Sequence, residues 1–282
     1  MTTTDTLTPL NHDRDSAGMT YVYPVVSRRA GGVSIGINLN PNNACNWRCI
    51  YCQVPYLTRG NAPAIKLDQL ERELRQMLQD VTVGDFMQRR VADGARHLED
   101  IAFSGNGEPT SAKAFPDTVA IVARVLEDFG LTGKLKVRLI TNGSQMDRSE
   151  ILEAVRTMAS INGEVWFKVD AATREGMTRI NDVSLNPAGV LERLIACGRS
   201  CPTWVQTCLF ALDGNPPSET ECQAWLDLVG AASTSLAGVH LYGLARPSMQ
   251  AEAPRLSRLP ADWMQALAIR VEALGLTVKV SP

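Results

Sequence analysis

Six short apolar runs recur along the chain: GVSIGINL (32–39), DIAFSG (100–105), KLKVRLIT (134–141), EVWFKVD (164–170), TWVQTCLF (203–210) and SLAGVHLYG (235–243). They are enriched in β-branched and aromatic residues and bounded by turn formers, so each predicts a buried strand. Between the runs the period changes. Leu67, Leu70, Leu74 and Leu78 form one stripe at helical spacing, and Phe115, Val119, Val122, Leu126 and Phe129 form another. Segments 149–159, 187–197, 218–231 and 261–274 have the same helical character.

Six strand-then-helix units in series predict parallel pairing, because a parallel pair needs a crossover and a helix is the usual one. The expected class is α/β, a partial (β/α)6 TIM-like barrel of parallel strands, with a doubly wound open sheet as the alternative. Either arrangement places chemistry at the C-terminal ends of the strands. The final LTVKVSP (276–282) reads as an added edge strand. No repeat or linker divides the chain, so residues 1–20 are expected to be a flexible tail and 21–282 one domain.

Composition narrows the function classes. With 45% hydrophobic and 21% charged residues the chain is ordinary for a globular protein, and no apolar stretch approaches the length that spans a bilayer. The N-terminal MTTTDTLTPLNHDRDSAG lacks the apolar segment of a secretory signal. A net charge of −2 and a pI near 6.0 supply no global field for a phosphate backbone. Seven unevenly spaced cysteines do not form a secreted disulfide framework, so a cytoplasmic location is expected.

Three of those cysteines, Cys45, Cys49 and Cys52, fall in PNNACNWRCIYCQVP (41–55), just after the first expected strand. Clustered thiolates bind zinc or iron–sulfur clusters. A structural zinc takes four ligands, the loop offers three, and His12, His97 and His240 are not at zinc-finger spacing from it. On a [4Fe–4S] cube three cysteines leave one iron open to a small molecule.

Further candidates fall at strand ends. In FSGNGEPT, Ser104, Gly105, Asn106 and Gly107 form a turn where the glycines permit close approach to a ligand, and Glu108 offers a carboxylate to an ammonium; an ordinary turn explains the pattern equally well. Thr141, Asn142 and Gly143 in LITNG suit ribose or carboxylate binding, or a helix-capping turn. Lys168 and Asp170 share one face of FKVDA, with Gln206 and Arg246 further candidates on the same rim. Cys197, Cys201, Cys208 and Cys222 are spread over a helix end, a strand and a second helix, which reads as core thiols rather than a second cluster.

The C-x3-C-x2-C string, with Tyr51 before its last cysteine, resembles the signature of the radical S-adenosylmethionine (SAM) superfamily. The resemblance implies a [4Fe–4S] cluster on Cys45, Cys49 and Cys52, with SAM chelating the fourth iron. Reductive cleavage of SAM would release a 5′-deoxyadenosyl radical that abstracts hydrogen from a substrate. It also implies that Tyr51 packs near the adenine and that FSGNGEPT is a GGE-type motif contacting the SAM amino group, with Asn106 in place of the middle glycine. Lys168 and Asp170 would then face SAM or substrate. The expected partners are an electron donor such as flavodoxin or ferredoxin, and an unidentified small-molecule, protein or RNA substrate.

YVYPVVSRRAGGVSIGINLNP (21–41), with its Arg28–Arg29 pair, together with CIYCQV and the late Arg246-Pro247, resembles the oxidoreductase branch related to wyosine tRNA-base synthase. Two features depart from that branch: no cysteine precedes Cys45, and no lysine precedes Lys66. A glycyl-radical activating enzyme and a non-enzymatic iron–sulfur carrier are the competing readings.

Overall fold

The computed structural model describes residues 6–8, 18–27 and 31–282; Arg28, Arg29 and most of the 1–20 segment lie outside the described residues. Within that segment Leu7 is buried and bridges to Val91.

The six apolar runs form strands β2 (Val33–Ile37), β3 (Leu98–Phe103), β4 (Lys136–Thr141), β5 (Gly163–Lys168), β6 (Thr203–Leu209) and β7 (Gly238–Gly243). The C-terminal run adds β8 (Val278–Ser281), and β1 (Val22–Val26) precedes them all. One sheet contains them in chain order from β1 to β8. Every neighbouring pair from β2 to β8 is parallel, and β1 is antiparallel to β2.

Helices α1 (Leu67–Thr82), α2 (Phe115–Asp128), α3 (Ser149–Ser160), α4 (Arg174–Asn181), α5 (Pro187–Ser200), α6 (Glu219–Ala232) and α7 (Ala261–Glu272) fill the crossovers. The partial-barrel expectation therefore describes the architecture. Helix starts follow local chemistry. Ser218 and Glu221 close a reciprocal capping box on α6, and Asn186 caps α5 ahead of Pro187 in its first turn.

Of these elements, β1 and α4 were not expected. β1 contains Pro24, which cannot donate to a ladder and is tolerated because β1 is the outermost strand. Its start is pinned from α1: the buried Glu73 carboxylate accepts N–H bonds from Thr20, Tyr21 and Val22 at 3.1, 2.7 and 3.2 Å. Helix α4 is short and mostly polar; its signal is Thr173, whose hydroxyl accepts from Gly176 N at 3.0 Å.

Period-two alternation gives the sheet two unlike faces. Val137, Leu139, Val165, Phe167, Val205, Val239 and Leu241 are fully or almost fully buried in the main apolar core with the helices. The alternate positions, among them Asp100, Arg138, Trp166, Lys168 and Gln206, line a cavity on the other, concave face.

Candidate active site

The loop leaving β2 carries the three cysteines and is latched from both sides. Arg48 N and Ile50 N donate to Asn181 O and Ile180 O at the end of α4, at 3.1 and 2.9 Å. Across the loop, Ser248 Oγ donates to Ile50 O at 2.7 Å, Gln250 Nε2 to Val54 O at 3.1 Å, and Met249 N to Cys52 O at 2.9 Å. Arg48 and Glu252 form an ion pair at 2.7 Å.

Asparagines fasten the loop to the neighbouring strand ends. Asn40 Nδ2 donates to Ala44 O at 3.0 Å, Asn142 Nδ2 to Asn46 Oδ1 at 2.8 Å, and Asn106 Nδ2 to Asn43 Oδ1 at 2.5 Å. The asparagine-rich stretch before the cysteines is therefore scaffolding. Asn43 itself holds a left-handed backbone at φ 55.

Cys45, Cys49, Cys52 and Tyr51 line a cavity of about 290 Å³ on the concave face of the sheet. Ser104, Gly105, Asn106, Gly107 and Glu108 line it from the β3 end, and Thr141, Asn142, Lys168, Gln206 and Arg246 from the later strands. Asp170 and Gly143 do not. Gly143 sits at φ +71 with a neighbouring Phe167 ring that a Cβ would strike at 1.9 Å, so the turn requires glycine there.

Glu108 is held by the chain's own donors. Its carboxylate is buried and accepts from Thr110 N at 3.1 Å and from Thr110 Oγ1, Thr141 Oγ1 and Asn142 N at 2.6 Å each. Four donors surround a group with about four acceptor positions, so it ties the β3 and β4 ends together. Burial nevertheless holds its pKa above the usual range, against those donors. An acceptor beside it, Asn106 Oδ1, is buried and has no hydrogen-bond partner among the described residues. Gly105 and Gly107 are required for packing: a Cβ would lie 2.3 Å from Asn38 Oδ1 and 2.1 Å from Ala44 O respectively.

Lys168 and Asp170 act on Tyr51. Lys168 Nζ donates to Tyr51 OH at 2.7 Å and to Tyr242 OH at 3.2 Å, while Tyr51 OH donates to Asp170 Oδ2 at 2.5 Å. Cys208 N and Asn181 Nδ2 complete the Asp170 shell at 3.0 and 2.9 Å. Burial opposes charge on Lys168, but Tyr242 and Asp170 outweigh it and hold its pKa above the ordinary lysine value. Gln206 Oε1, on the strand beside Lys168, is buried without a partner among the described residues. Arg246 Nη2 donates to Gln53 Oε1 at 2.5 Å, and Gln53 Nε2 returns a bond to Arg246 O at 3.2 Å.

Deeper in the cavity lies a network absent from the sequence reading. Arg138 pairs with Asp100, with Glu164 at 2.7 Å and with Glu99 at 3.4 Å, and Ser34 Oγ donates to Asp100. Planar groups continue the layer: the Arg138 guanidinium lies 5.2 Å from the Trp166 ring, Trp166 and His240 centroids are 4.8 Å apart, and His240 and Trp204 4.7 Å. This layer floors the concave face.

Cys197 and Cys201 are buried in the main core, Cys208 lies by Tyr51 and Phe210, and Cys222 is on α6. Among the described residues, no three Cys, His, Asp or Glu side chains stand at metal-binding distance, the three-cysteine loop included. Burial pushes the Cys45 thiol up to about 11 and the Cys49 thiol up to about 12, so both are protonated without a metal.

A parallel half-barrel with a three-thiol loop over its C-terminal rim defines a scaffold for a metallocluster and a small molecule. Comparison with known proteins gives the class. Residues 39–221 match the Radical SAM superfamily, and the chain belongs to it. Over 162 residues the chain is 28% identical to the GTPase Obg of Brachyspira hyodysenteriae, a match covering 54% of this chain and spanning 21% of that protein. A radical SAM methyltransferase from Sphaerobacter thermophilus shares the fold with a TM-score of 0.60 at 12% identity, covering 92% of this chain and 68% of that one.

Enzymes of this superfamily use a [4Fe–4S] cluster and SAM, and the residues present fit both. The donor set is three thiols in one loop opening into one cavity. The orphaned Asn106 Oδ1 is an acceptor that only a ligand donor or water satisfies. No helix is long and apolar enough to cross a membrane among the described residues.

Proposed function

We propose that this chain binds a single site-differentiated cluster through Cys45, Cys49 and Cys52, leaves the fourth iron to SAM, and removes hydrogen from a substrate held in the same cavity. The observation that carries this reading is the three-thiol loop facing a cavity with two buried, unpartnered acceptors, Asn106 Oδ1 and Gln206 Oε1. When bound, the cluster and SAM supply one-electron cleavage of the sulfonium and the hydrogen abstraction that follows.

The chain's own residues do the rest. Asn106 Oδ1 accepts from the SAM ammonium in place of Glu108. Lys168 and Asp170 fix the Tyr51 ring against Phe210, 5.8 Å between centroids, as one wall of the nucleotide site. Thr141, Asn142 and Glu108 keep the β3 and β4 ends rigid, and Gly105 and Gly107 let that rim close on the loop. Gln206 presents its carbonyl to the substrate side. The apolar outer face and the polar floor keep bulk water away from the reacting atoms.

Anaerobic reconstitution is expected to give about four irons with matching sulfide per chain. Dithionite and SAM should then yield 5′-deoxyadenosine, and Cys49→Ala should yield none. A colourless protein holding one zinc, or clusters handed to an apo-acceptor without SAM affinity, would sink the assignment. The wyosine-related branch rests on the 21–41 string and on Arg246-Pro247. Incubation with unmodified tRNA tests it, and EPR for a glycyl radical on candidate partner proteins tests the activating-enzyme alternative.

A further inference from the structure

Helix α4 ends at Asn181, whose side chain is almost fully buried. Its amide Nδ2 lies 3.3 Å from Cys49 Sγ and 2.9 Å from Asp170 Oδ2. An amide nitrogen carries two hydrogens, and each has one of these acceptors. The carboxylate, which only accepts when ionised, fixes which end of the amide faces the sulfur. The main chain holds the same spot: Asn181 O and Ile180 O accept from Arg48 N and Ile50 N, the two neighbours of Cys49. Beyond the helix, Asp182 turns at φ 56, and Arg59 pairs with its carboxylate at 3.0 Å and donates to its carbonyl oxygen, so the helix end is held twice more.

We propose that Asn181 is a positioning residue for the cluster: it donates an N–H bond to the Cys49 sulfur and makes the cluster easier to reduce. The inference rests on the proposed reading of this loop as the cluster site. Reduction adds negative charge to the cluster and its thiolates, and a donor aimed at one sulfur stabilises the more negative state; hydrogen bonds to sulfur are among the levers that set such potentials. The second hydrogen of the same amide rests on Asp170, which also accepts from Tyr51 OH. Asn181 thereby joins the cluster ligand to the wall of the SAM pocket.

The test is the midpoint potential of the anaerobically reconstituted full chain, followed by EPR, for wild type, Asn181→Leu, Asn181→Thr and Asn181→Asp. Leucine keeps the volume and the main-chain latches but removes the donor. The reduction equilibrium of that variant is expected to fall about tenfold, ~59 mV for one electron. Threonine, which keeps a hydroxyl donor, should recover part of the shift, and aspartate, which lacks the amide donor, should not. A merely structural asparagine would change iron content or melting temperature and leave the potential of the loaded fraction alone. Leucine with full iron and an unmoved potential overturns the role of Asn181. If leucine takes up too little iron, threonine and aspartate decide: equal potentials overturn the role, and a lower aspartate potential upholds it. Wild type lacking iron and sulfide would instead remove the cluster reading itself.

Discussion

Two buried ion networks share the concave face of one sheet, and they differ in what they leave open. In the deep network Arg138 meets Asp100, Glu99 and Glu164, and Glu164 also takes the Trp166 indole N–H at 2.9 Å, so each charge ends on a protein partner. In the upper network Lys168 reaches Asp170 only through the Tyr51 hydroxyl, and Asp170 passes through Asn181 to a cysteine of the loop. The first network is closed and faces inward. The second is a chain of single bonds ending at the candidate cluster and walled by a ring that can meet a nucleotide. Charge burial alone therefore does not mark an active site; the direction in which a network remains incomplete does.

The comparison breaks most sharply at Arg138. Arg138→Met strands buried carboxylates without their cation and is expected to cost about 3–5 kcal/mol, read as a lower urea midpoint for the metal-free protein. If the two networks are different in kind, Lys168→Met behaves the other way round. It should lower 5′-deoxyadenosine formation roughly 10–100-fold, the usual range for groups supporting a metal site, while moving the urea midpoint less than Arg138→Met does. Equal stability losses for the two variants would erase the distinction. Tyr51→Phe is a finer cut. It removes the bridge but leaves Asp170 its bonds from Cys208 N and Asn181, so a loss of about 1–3 kcal/mol is expected, together with weaker SAM binding by equilibrium dialysis.

These networks also show where the sequence was readable. The outer face was legible because VRLIT, VWFK and VQTCL are runs rich in β-branched and aromatic residues, which mark buried strands, and all seven parallel strands were expected, including the C-terminal edge. The C-x3-C-x2-C loop announced itself by density. The floor did not, because Asp100, Arg138 and Glu164 are scattered through strands that read as ordinary apolar runs and meet only through parallel register, which no local pattern encodes. Glu108 was visible as a carboxylate, but its four donors come partly from another strand end. Asn181 lay in a mostly polar octapeptide whose apolar face is only Met177 and Ile180, so the helix that delivers it to Cys49 carried little signal beyond a threonine cap.

The same contrast between closed and open sites extends to the thiols, and gives the smallest of the expected effects. Burial lifts Cys197 and Cys201 up to about 12, as it lifts Cys49 up to about 12, but the first two lie in the apolar core while Cys49 faces the cavity. For Cys197 the folded value lies above the ordinary thiol value of 9.0, so between those two limits the folded chain keeps a proton that the unfolded chain has lost. That contribution to stability is fully present below pH 9 and declines as pH rises towards 12, by about 1.4 kcal/mol per pH unit for one such thiol. Chemical unfolding of the metal-free protein at pH 8, 9 and 10 should therefore show falling stability above 9, with a shallower fall in Cys197→Ala. An identical slope in the variant would mean that this thiol ionises in place within the folded core.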